Sequence, residues 1–141
     1  MSCKSAIYSA LQTSSNVVIT DAAGATLPLG ATVRRFGCDL NLSGNGILAI
    51  GRGYYRVAAS VTITPVAAGT YTLRLLKDGA QVPGATQVGA VAAGTPVSLS
   101  IDALVRNQCC DSASTLTLAI TAAATPATVE VDNVAIVAER I

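Results

Sequence analysis

The chain has 141 residues, a net charge of +1 and only 12% charged residues, about half the share of an ordinary soluble domain. That length suits one domain, and the near-neutral balance argues against nucleic acid or an anionic membrane as a partner. Apolar residues reach 51% with one Phe, four Tyr and no Trp, so Ala, Val and Thr must supply the mass of thin packed sheets.

In chain order, Ser5–Leu11 fits a short strand or a single helical turn. Asn16–Thr20 reads as a strand ended by the turn Asp21-Ala22-Ala23-Gly24. Thr32–Phe36 alternates, with Val33 and Arg35 on one face and Arg34 and Phe36 on the other. Ser43-Gly44-Asn45-Gly46 marks a turn before a strand at Ile47–Ile50. The clearest stretch is Gly53–Ala85. Tyr55, Val57, Ala59, Val61 and Ile63 are apolar at every second position, and Pro65 and Gly69 bound a turn. Tyr71, Leu73 and Leu75 then restart the alternation. Asp78-Gly79 is the pair that favours a two-residue hairpin. Thr86–Val91, Pro96–Arg106, Ser114–Thr121 and Thr128–Ala138 complete the strands. In Pro96–Arg106, Val97, Leu99, Ile101, Ala103 and Val105 share one face.

About eight to ten strands at short spacing, with no convincing helix, predict an all-β protein, an antiparallel β-sandwich or barrel. Each Pro falls at a predicted strand end or turn. The last strand changes phase. Val129 and Val131 share one face, yet Val134, Ile136 and Ala138 are apolar in the opposite phase, and Val137 is apolar too. Either a bulge near Asp132-Asn133 flips the strand, or both its faces are covered and it lies in a subunit interface. Low charge beside high apolar content fits an oligomer that hides one side of each subunit.

Three phrases carry a resemblance: Arg34-Arg35-Phe36-Gly37-Cys38; Lys77-Asp78-Gly79 with Pro83-Gly84-Ala85; and Val105-Arg106-Asn107-Gln108-Cys109-Cys110. With Gly53-Tyr54-Tyr55-Arg56-Val57 before a long Val-Thr strand, they make the chain similar to the tumour-necrosis-factor-like jelly rolls. Within that superfamily it resembles small proteins of tailed bacteriophages and prophages of the head-fibre or capsid-decoration type. The resemblance covers most of the chain from about Thr32 onward. It implies a jelly roll at 31–141, a homotrimer, and a place on the virion bound to a major capsid protein. Residues 1–30 would then anchor the trimer. A receptor- or glycan-binding head of a phage tail or bacterial surface fibre, with a host surface glycan as partner, is the alternative it implies. Val134, Ile136, Val137 and Ile141 are the candidates for the trimer interface.

Little in the sequence suggests catalysis. There is no His, which removes the commonest general base, the usual Ser or Cys triads and mixed His/Cys zinc sites. No Gly-rich phosphate loop is present, and no cofactor is implied. Glu130 and Asp132 face together on a strand, but a calcium site needs six to eight oxygen ligands, and a polar rim accounts for both. Arg34-Arg35, Arg52 and Arg56 could form a basic patch or a strand edge protected by charge. Cys3, Cys38, Cys109 and Cys110 lack metal or redox spacing. They admit three readings: free thiols, a disulfide from Cys38 to Cys109 or Cys110, or a four-thiolate site. No signal peptide precedes the first strand and no run is long enough to cross a membrane. The expected product is made in the host cytoplasm and leaves by lysis.

Overall fold

The computed structural model describes residues 4–107 and 113–141. Its strands begin with β1 (Ala6–Ala10), β2 (Ser15–Ile19), β3 (Ala25–Thr26), β4 (Ala31–Phe36), β5 (Leu40–Ser43) and β6 (Gly46–Ala49). They continue with β7 (Gly53–Pro65), β8 (Gly69–Lys77), β9 (Ala80–Val91), β10 (Val97–Asn107), β11 (Ser114–Ala122) and β12 (Ala127–Arg140). Among the described residues there is no helix. The strands form two antiparallel sheets. The first runs β10-β7-β12-β1-β4 with β2 also on β12; the second runs β5-β6-β11-β8-β9 with β3 on β11.

Alternation decides which side chains meet between the sheets. On β7, Tyr55, Val57, Ala59, Val61 and Ile63 are buried, as are Tyr71, Leu73 and Leu75 on β8 and Leu116, Leu118 and Ile120 on β11. Leu99, Ile101 and Val105 of β10 complete the apolar layer from the other side. Each fully buried Leu, Ile or Val contributes roughly 1.5–3 kcal/mol relative to exposure. Burial of this continuous layer drives the two sheets together. The hairpin at Asp78-Gly79 forms as its residues require: φ is 51° at Asp78 and 85° at Gly79, the left-handed pair of a two-residue turn that matches strand twist.

The phase change in the last strand is a bulge. The register of β12 on β7 shifts between Val131 and Asn133. Ala127, Val129 and Val131 therefore point inward before it, and Val134, Ile136 and Ala138 point inward after it. This corrects the expectation that Val134 and Ile136 face another subunit. Both have 0% exposure within the single chain, because the extra residue returns them to the core. Pro83 also lies elsewhere than at a strand end. It sits inside β9, where residues 82–85 stand opposite Leu75 as the register on β8 shifts. An edge strand tolerates the missing N–H at such a bulge.

The expectation of a separate anchoring segment at 1–30 is likewise corrected for residues 4–30, the part of it that the structure describes. β1 pairs with both β12 and β4 inside the first sheet, and Ile7, Ile19, Leu27 and Leu29 are buried to 1% exposure or less. The accessible surface of 6998 Å² is close to the roughly 6,700 Å² expected for a compact chain of this mass. These residues belong to the sandwich because strand pairing and core burial both claim them.

Candidate interaction face

The outward side chains of the first sheet fall into rows. From β4 across to β10, the register aligns Phe36, Ala6, Glu139, Arg56 and Leu104. The next row holds Arg34, Tyr8, Val137, Ala58 and Asp102, and the third Ala31, Ala10, Ala135, Ser60 and Ser100. In the last two rows the central β1 and β12 columns hold Tyr8, Val137, Ala10 and Ala135. Ala6, Ala10, Ala58 and Ala135 keep parts of the face low, Tyr8 and Val137 rise from its inner strands, and Phe36 and Leu104 stand at its sides. Phe36 is 62% exposed, Leu104 57% and Tyr54 49%.

Between β4, β1 and β12 these side chains leave a groove of about 290 Å³, lined by Ala6, Ile7, Tyr8, Val33, Arg34, Phe36 and Val137. The bulge between Tyr8 and Ser9 in the β1–β4 ladder lets Val33 join Arg34 and Phe36 on this side. Strict alternation would have set Val33 on the opposite face. Ile141 extends the face beyond β12, held by its N–H donating to the Tyr54 carbonyl at 3.0 Å.

One ion pair crosses the face. Arg56 donates to both carboxylate oxygens of Asp102, at 3.2 and 2.8 Å. The same hydrogen bonds hold the Asp102 carboxyl below its ordinary range and raise the Arg56 guanidinium above its own. Arg106 lies over the Tyr54 ring, 5.9 Å from its centre. Of the basic residues expected to cluster, Arg34 and Arg35 lie on β4, whereas Arg56 is already paired and Arg52 lies in the β6–β7 turn.

The outward rows of the second sheet differ. They carry Thr117, Leu76 and Gln81; Ala119, Arg74 and Thr86; and Thr121, Thr72 and Val88. Hydrogen bonds tie Gln81 to Arg74 and to Thr86. Threonine suits a solvated strand, since its branched Cβ fits the pleat while its hydroxyl stays in water.

A polar clamp at one end fixes the first sheet. The Arg140 guanidinium pairs with Asp39 and also donates to the Arg52 carbonyl. Ser5 Oγ accepts from the N–H groups of Cys38 and Asp39, both at 3.0 Å. Gly37 makes that approach feasible: its φ is 86°, and a Cβ there would stand 2.2 Å from the Lys4 carbonyl oxygen. Tyr55 donates to the Gly51 carbonyl at 2.5 Å, and burial, more than the nearby Asp39, raises its phenol. Asn107 Nδ2 donates to the carbonyls of Ala49 and Gly51, and Ser114 Oγ donates to Asn107 Oδ1. The sequence singled out some of these residues, among them Tyr55, Arg52 and Cys38, but not their partnership. They become partners only when loops distant in sequence meet.

Cys38, beside this clamp, is disulfide-bonded. The other members of the expected thiol cluster, Cys3, Cys109 and Cys110, lie outside the described residues. Glu130 is exposed and Asp132 accepts from Thr64 Oγ1 at 2.5 Å. Among the described residues no group of three His, Cys, Asp or Glu side chains could hold a metal.

No protein-family profile and no curated protein sequence matches the chain. Solved structures do. Murine APRIL superposes with a TM-score of 0.70 at 11% identity, over 98% of this chain and 99% of that one. The fold is the tumour-necrosis-factor-like jelly roll. The Eiger TNF of S. frugiperda matches at 0.68 and 12% identity, over 100% of this chain and 94% of its own. The PRD1 vertex protein P5 matches at 0.60 and 16% identity, over 100% and 99%. In this jelly roll β10-β7-β12-β1-β4, with β2 on β12, makes one sheet, and its outward face is the candidate site.

Proposed function

We propose that this protein is a non-enzymatic structural component of a bacteriophage virion, a homotrimeric head-fibre or capsid-decoration protein bound to the capsid surface. The observation that carries the reading is the outward face of the first sheet. It is rich in small residues, with exposed Tyr8 and Val137 on its inner strands and exposed Phe36 and Leu104 on its outer ones. Monomers rarely expose contiguous apolar faces of this kind, and covering one by a second copy removes its contact with water. Val137 and Ile141 lie on that face and contribute to the contact.

The likeness to a phage vertex protein supports the virion setting. A jelly roll is otherwise compatible with many roles. The chain's lack of His, the commonest general base, supports a role in assembly rather than turnover.

Light scattering on the purified protein tests the reading. It gives the mass of three chains at micromolar concentration, and co-sedimentation with phage particles retains the trimer on the capsid. A stable monomer overturns the proposal.

A further inference from the structure

The two edges of the first sheet are finished differently. At β10 the edge is closed by side chains from the second sheet. The Ser100 N–H donates to Gln87 Oε1 at 2.6 Å, and the Arg106 carbonyl accepts from Lys77 Nζ at 2.5 Å. Backbone groups occupied in this way cannot pair with another strand.

Among the described residues nothing comparable occurs at β4, and its only ladder is to β1. All six of its residues are exposed, which holds for no other strand among the described residues. The edge carries Arg34 and Arg35, with Phe36 next to them. Arg34 has no ion pair among the described residues. Arg35 is engaged only through Nε, which donates to the Leu40 carbonyl at 2.6 Å. Across the ladders, the carboxylate of this face nearest to β4 is Glu139, which stands beyond β1 and next to Arg56.

We propose that the free edge of β4 receives an extended acidic peptide segment of the capsid protein, added to the sheet as a further strand. Strand addition supplies main-chain hydrogen bonds, and side chains at alternate positions set specificity. Here alternation offers the incoming strand a cation at Arg34 on one face and at Arg35 on the other, with Phe36 as an apolar contact. Carboxylates opposite those guanidiniums form charge-assisted pairs. A second copy of β4 is the wrong occupant, because antiparallel pairing would set like charges against each other. The edge lies in the plane of the sheet, so it stays open when the outward face is covered by other copies. The inference rests on the virion reading for the source of the peptide. It also replaces the N-terminal residues as the means of attachment, since β1, β2 and β3 are part of the sandwich.

The test uses two short synthetic peptides on the full chain, one alternating Val with Glu and one alternating Val with Lys. Binding is followed by amide chemical shifts and hydrogen exchange. The Val–Glu peptide should shift and protect the amides of Ala31–Phe36, and should bind about tenfold more tightly than the Val–Lys peptide. The Arg35→Glu variant, altered on the side of β4 away from the outward face, should abolish that preference while its mass in light scattering stays unchanged. Equal binding of both peptides, no binding, or shifts confined to other strands overturns the proposal. A trimer that ignores both peptides removes only the edge inference. A monomer that binds the Val–Glu peptide at β4 removes only the virion trimer.

Discussion

The inward faces of the two sheets are alike and their outward faces are not. Between the sheets, Val57, Val61 and Ile63 on one side and Leu73, Leu75 and Leu118 on the other are equally shielded. Outside, the first sheet presents Tyr8, Val137, Ala58 and Ala135 with the Arg56–Asp102 pair beside them, whereas the second presents Thr72, Thr117 and Thr121 with Arg74, Leu76 and Val88. Period-2 alternation explains the shared inward layer and therefore the fold. It leaves the outward set free, so that set reports what each face meets. Threonine fits water, and a low apolar surface fits another protein.

The largest expected effect removes the scaffold common to both faces. Arg140→Ala leaves Asp39 half-enclosed without its partner, where the pair's side chains are 14% and 12% exposed. Breaking such a pair should cost about 3 kcal/mol, read as a lower urea midpoint at unchanged slope. Both faces are then lost together. A shift within error would show that the clamp does not hold the C-terminal strand.

Charge placed on each face separates them more sharply. Ala135→Glu on the first sheet should weaken self-association by roughly a hundredfold, about 2.7 kcal/mol, in sedimentation equilibrium. Thr117→Glu on the second sheet should leave association unchanged. Equal losses would erase the distinction between the faces.

Truncation of an aromatic on the first face should act more mildly. Tyr8→Ala, beside the groove with Val137 and Phe36, is expected to weaken association by about tenfold. Its neighbours Val137, Ala6 and Ala10 continue to exclude water.

The smallest effect concerns the exposed ion pair. Hydrogen bonds from Arg56 lower the Asp102 carboxyl in the folded chain relative to its ordinary value of 3.8. A depressed carboxyl contributes its stabilisation above the unfolded value and loses it as pH falls through the folded one. Stability should therefore dip below about pH 4 in the wild type, and Asp102→Asn should flatten that part of the profile slightly. An identical acid profile in the variant would show that the pair contributes nothing.

Much of this architecture is legible in residues taken one strand at a time. Tyr55 to Ile63 declares an inward face, Asp78-Gly79 declares the hairpin, and the reversed phase after Val131 is the mark of the bulge. The same phase change also admitted an interface reading for Val134 and Ile136. Alternation cannot distinguish an extra residue in the ladder from a second covered face. Ala6–Ala10 was too short to declare its period, and so the N-terminal residues could pass for an anchor rather than a central strand. The rows joining Tyr8 to Val137 and Ala58 depend on strand order, which no single segment carries. The Asp39–Arg140 clamp joins residues 101 positions apart and leaves no local signal.

The central claim is that the outward face of the first sheet is buried between copies of the chain. Light scattering on the wild type and on Ala135→Glu, with Thr117→Glu as reference, tests it most directly. The account predicts the mass of three chains for the wild type and Thr117→Glu, and one folded chain for Ala135→Glu. A wild type that remains a single chain at high concentration, or an Ala135→Glu protein that still assembles, would contradict it.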